Sequence, residues 1–135
     1  MVMLIYFIID NHIDLYPWNN LITPQLPSTL SAVIPFTVYA VGFALGIRGL
    51  MLVGTVHSYV WLALQIRQWW IPYLLGRTAV HREFDWYVAH GYDRTIRLLP
   101  RIADHPTPDA QHLVLQVLSI VVVICATGAL VRSRR

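Results

Sequence analysis

The sequence predicts an all-α polytopic membrane protein, with four transmembrane helices and one amphipathic helix at the interface, in one domain over residues 1–135. Three observations carry that prediction. Apolar stretches of membrane-crossing length recur along the chain. Composition is 56% hydrophobic and 13% charged, about half the charge of an ordinary soluble domain. Aromatic and basic residues gather where an apolar stretch ends, as at Arg67, Trp69, Trp70 and Tyr73.

Residues 2–18 are read as the first span. The stretch opens on apolar residues and then meets Asp10, His12 and Asp14 before Pro17 and Trp18. Without a basic start or a small-residue cleavage site it is not a secretory signal, and is expected to stay attached. Sixteen helical residues before Pro17 rise roughly 24 Å, short of the ~30 Å core unless the bilayer thins or Trp18 completes the crossing. The alternative is a hydrophobic arm at the interface, because two carboxylates in a span are expensive.

A connection punctuated by Pro24 and Pro27 leads to the second span, residues 29–47, in which Pro35 lies within the first two turns. The third span, residues 50–70, follows a turn at Gly46-Ile47-Arg48-Gly49. Gly42 and Gly46 form a Gly-x-x-x-Gly pair, the spacing that lets helix backbones approach closely in lipid. It is expected to pack the hairpin internally, against Gly54 and Ser58, rather than to mark a dimer interface.

Residues 77–99 alternate apolar and charged positions at three- and four-residue steps and predict the amphipathic surface helix. Leu98-Leu99-Pro100 ends it, residues 101–108 form an extended linker, and Thr107, Pro108 and Asp109 read as cap, first helical residue and dipole-matched acid of the last span, residues 109–131. Within it, Leu113 to Val131 carries no charge and is followed by Arg132, Arg134 and Arg135. Those unpaired tail arginines favour an inner-membrane protein with both termini cytoplasmic, whereas a plain count of basic residues favours the reverse.

Counting 1.5 Å per residue along alternating helices brings Asp10, Tyr39, His57 and Ser119 to one depth, with Asp14 a turn beyond Asp10. An intramembrane ionisable residue is a functional candidate, so an Asp10–His57 pair in a proton or cation path is one expectation. The structural reading is that His57 satisfies a neighbour's hydroxyl while Asp10 and Asp14 lie at the interface. No cofactor is predicted. The spacing of His81, His90, His105 and His112 matches no zinc signature, and His12 with His57 is the one pair of transmembrane histidines for a haem. Nothing reads as a phosphate loop, nucleophile elbow or catalytic triad, and the ten arginines are too scattered for nucleic acid.

The run Gln68-Trp69-Trp70-Ile71-Pro72-Tyr73-Leu74-Leu75-Gly76, with Leu98-Leu99-Pro100 and Pro108-Asp109-Ala110-Gln111-His112, resembles small bacterial multi-pass membrane proteins of unassigned function. The resemblance covers about half the chain and implies spans, not chemistry; it marks Trp70, Pro72, Pro100, Pro108 and His112 as a joint between surface helix and bundle. Two functions are expected from the sequence. One is a non-enzymatic accessory or assembly component of a membrane complex, with the bilayer and membrane proteins or further copies of itself as partners. The other is a small homo-oligomeric channel or transporter for protons or small ions that uses the midplane layer.

Overall fold

The computed structural model describes residues 1–21, 24–76, 89 and 94–133, and every regular element among them is helical. Four helices follow in order: α1 (Val2–His12), α2 (Leu26–Ala44), α3 (Arg48–Leu75) and α4 (Ala110–Arg132). Three of them, α2, α3 and α4, are long and apolar enough to cross a membrane. The greater part of the amphipathic helix expected over 77–99 lies outside the described residues, as do Arg134 and Arg135.

α1 is shorter than the expected first span. Its 11 residues rise about 16 Å, half of a ~30 Å core. The cause is local. A helix continued through Pro17 would leave the Ile13 carbonyl without a donor and drive it into the proline ring. The buried Asn19 closes the end instead: its Nδ2 donates to the carbonyls of Asp10 (2.8 Å) and Ile13 (2.9 Å), and its Oδ1 accepts from the Leu15 amide (2.6 Å). Chain ends and bundle levels follow from α1's contacts. Met3, Leu4 and Phe7 pack with Ala32, Phe36 and Leu115 of α2 and α4 into the core, and Trp61 of α3 meets Phe7 and Phe36 edge-on at 5.8 and 5.6 Å. At the start of α1, Met1, Met3 and Leu4 join the three long helices in lining a half-open apolar cavity of about 290 Å³.

The hairpin of α2 and α3 closes on Gly46, whose φ of +67° an L side chain adopts with strain. Ile47 N–H donates to Gly42 O (2.8 Å) and Gly46 N–H to Phe43 O (3.3 Å), the paired bonds that end a helix through a left-handed residue. The Gly-x-x-x-Gly pair therefore divides its work. Gly42 packs against Leu50 and Gly54 against Tyr39 and Phe43, while Gly46 turns the chain, and a Cβ placed on it would meet nothing within 4 Å.

α3 does not end at Trp70. It runs on to Leu75 through a π-helical turn over Ile66–Trp70, in which the Ile71 N–H reaches back to the Ile66 carbonyl. Pro72 supplies the reason, since its ring would meet the Gln68 carbonyl in a regular helix and the wider turn relieves that clash. α4 begins one residue later than expected, and its cap is Asp109 rather than Thr107: the Asp109 side chain accepts from the His112 amide at 3.0 Å. Residues 95–99, expected to close the surface helix, are not helical. Ile96 is pinned there by its N–H to Pro17 O (3.0 Å) and by its carbonyl to Ala110 N–H (2.7 Å).

Candidate functional site

Polar side chains collect at the end of the bundle where α1 stops, α3 widens and α4 starts. Asp109 anchors them. Its Oδ1 takes the His112 amide and the His112 Nδ1 (2.5 Å), and its Oδ2 takes the Thr95 hydroxyl (3.0 Å) and the Gln111 Nε2 (3.2 Å). Burial alone would raise this carboxyl; the charge and hydrogen bonds of His112, with that of Thr95, hold it below the ordinary carboxylate range. The π-turn then brings two consecutive tryptophans onto α4. Trp69 lies against the His112 ring, centroids 4.0 Å apart, and Trp70 donates from Nε1 to Gln116 Oε1 at 2.7 Å, one helical turn along. Below them Tyr73 donates to Pro100 O (2.9 Å), and His105 Nδ1, 2.8 Å from Tyr73 O, carries a proton because a carbonyl only accepts.

A cavity of about 370 Å³ opens beside this frame, with α1, α2, α3 and α4 all contributing to its wall. Three glutamines in that wall are each tied down at one end. Gln116 accepts from Trp70 and leaves Nε2 unpaired; Gln111 donates to Asp109 and leaves Oε1 unpaired; Gln65 donates to Ser119 Oγ (2.9 Å) and leaves Oε1 unpaired. Partner chemistry fixes each orientation. An indole N–H only donates, a carboxylate only accepts, and the Ser119 hydroxyl spends its proton on Leu115 O. Asn11 Nδ2 and Trp61 Nε1, in the same wall, also lack a protein partner. Each such buried group costs roughly 1–3 kcal/mol when nothing pairs it.

The predicted midplane layer is divided among three places. Tyr39 and His57 do meet, ring centroids 5.3 Å apart, with Phe36 at 5.1 Å from the histidine, whose Nε2 is buried without a partner. Ser119 lies lower, bonded to Gln65, two turns along α3 from His57. Asp10 lies lower still, in the wall of the polar cavity with His112, near the Asn19 amide (3.5 Å). Asp14 is exposed and accepts from the Leu21 amide at 3.4 Å. The depth count started every helix at one plane, whereas α1 starts partway along α4, at the cavity that Ala126 and Ala129 also line. An Asp10–His57 pair is accordingly absent from the structure.

The histidines considered for metal or haem are also apart. His12 Nε2 lies 3.0 Å from the Thr29 hydroxyl, which itself donates to Gln25 O, so the histidine is the donor there. His81 and His90 lie outside the described residues, and among the described residues no three His, Cys, Asp or Glu side chains gather to hold a metal. Sequence reasoning passed over Asn11, Asn19, Trp61, Gln65 and the Asp109 cap. For Asn11, Asn19 and Gln65 the signal was an amide inside or beside an apolar helix, a costly placement wherever the amide lacks a partner. In fold class the described residues form an all-helical protein, with three helices among them long and apolar enough to cross a membrane. Compared with protein-family models, curated proteins and solved structures, it matches none.

Proposed function

We propose that this chain is a small integral membrane protein that serves as a non-enzymatic accessory or assembly component of a membrane complex. The observation that carries this reading is the direction of its apolar surface. Only 22%, 28% and 28% of the apolar windows of α2, α3 and α4 are buried inside the bundle, so most of each helix presents apolar side chains outward, to lipid and to other membrane proteins. Polar contacts are instead gathered inside, at one end, and are spent mostly on holding helices together. The finer architecture belongs to the same proposal: α1 as a fourth, shorter membrane-embedded helix, residues 77–99 at the interface, an inner-membrane location with both termini cytoplasmic, and kinship with small bacterial multi-pass proteins.

Native mass spectrometry of the tagged protein, extracted from its own host in mild detergent, tests this. A stable hetero-complex supports the accessory reading. A homo-oligomer without other proteins overturns it in favour of a channel or transporter, a reading to which the scattered midplane residues lend little.

A further inference from the structure

We propose that the 290 Å³ apolar cavity at the start of α1 is a phospholipid site, which takes one acyl chain between α2 and α4 and sets the phosphate at Arg132. The inference rests on the bundle crossing a bilayer and is separate from the accessory role. It starts from how far α1 reaches. α1 lies along the seam between α2 and α4 and covers one half of it: His12 meets Thr29, Tyr6 donates to the Gln111 carbonyl, and Met3 Sδ lies 3.6 Å from Ser119 Oγ. Where α1 starts, the cavity takes over the same seam, on α2 from Phe36 to Phe43 and on α4 from Val122 to Ala129, and it is half-open.

Length and chemistry select the occupant. α1 rises about 16 Å of a ~30 Å core, so roughly 14 Å of the seam is left over, the depth of hydrocarbon in one leaflet. An acyl chain of that leaflet has the reach to complete what α1 begins. The wall suits hydrocarbon: it is mainly apolar, and the Ser58 hydroxyl within it is spent on Gly54 O at 2.7 Å. Apolar voids of this kind do not hold water. At the mouth, Cys125 and Ala129 of the wall and then Arg132 follow at four- and three-residue steps, one face of α4, so the exposed Arg132 stands one turn beyond the wall. Among the described residues the acids, Asp10, Asp14, Asp104 and Asp109, belong to the opposite end of the bundle, so none of them competes with a phosphate for this guanidinium.

The full chain, purified in mild detergent and freed of lipid, is titrated with lysophosphatidylglycerol, which has one acyl chain, and with glycerophosphoglycerol, the same headgroup without a chain. Native mass spectrometry counts the molecules retained. Saturation at one lysophospholipid per protein chain, with the chainless compound not retained, is the expected result. Ala40→Phe and Ala129→Phe fill the cavity from α2 and from α4, and each is expected to weaken retention about tenfold. Arg132→Gln should weaken it severalfold, while Ala63→Phe, exposed on α3 outside the cavity, should leave it unaltered. Where a phenylalanine variant fails to fold, the wild-type titration and the surface variant Arg132→Gln decide. Unsaturable retention, equal retention of the chainless compound, normal binding by both phenylalanine variants, or normal binding by Arg132→Gln would overturn the proposal. So would a homodimer that excludes the lipid and dissociates in Ala129→Phe, since a second copy would then fill the seam. A chain soluble without detergent would overturn this inference and the membrane reading together, whereas partner proteins found or missed in the host bear on the accessory role alone.

Discussion

Asp109 does at one residue what the start of α4 requires: it caps the helix and holds Thr95, Gln111 and His112 to it. Asp109→Ala is expected to cost about 2 kcal/mol, as loss of a cap plus stranded partners, read as a lower Tm in detergent. Because its carboxyl is held below the ordinary range, the stabilisation is present above the unfolded carboxyl's pKa, about 3.9. It is lost as pH falls through the folded value, so the wild-type advantage over the alanine variant should shrink on acidification. The glycines give a paired test at the same scale. A Cβ on Gly54 would lie 2.7 Å from the Tyr39 Cβ, whereas one on Gly128 meets nothing within 4 Å. Gly54→Ala should therefore destabilise the hairpin by about 1–3 kcal/mol, and Gly128→Ala should be neutral or slightly stabilising; equal Tm shifts would contradict the packing described.

At the scale of elements, the decisive devices are the ones that end or widen helices. Asn19→Ala removes three hydrogen bonds from the end of α1 and strands the Asp10 and Ile13 carbonyls. Amide exchange should accelerate in α1 while α3 and α4 stay protected; uniform protection would show that α1 is held by packing alone. Such devices explain what the sequence hides. Apolar length marked where α2, α3 and α4 lie, because a helix long and apolar enough to cross a bilayer is recognisable from its own residues alone. Pro17 signalled a break in α1, but the closing group, Asn19, acts through the fold of the loop after it. The aromatic belt at Trp69 and Trp70 similarly marked an end to the third span, and the structure absorbs Pro72 in a π-turn and carries the helix on to Leu75. The polar cavity was hidden for a further reason. Gln65, Gln111 and Gln116 sit on two helices, and only their packing shows which amide end each leaves unpaired.

For the whole molecule, the account rests on a direction. The Arg48 turn and the Arg132 end of α4 share one face of the bundle, and Leu75, Asp109 and the polar cavity lie at the other, with three helices between. Site-directed cysteine labelling in cells reads this directly. Cys125→Ser provides the background, and Arg48→Cys and Asp104→Cys place one thiol at each exposed end. A membrane-impermeant maleimide should label the position-104 variant in intact cells and the position-48 variant only after permeabilisation, with both proteins in the membrane fraction. Labelling of both positions from the same side, or recovery of the protein from the soluble fraction, would contradict a bundle that crosses the bilayer.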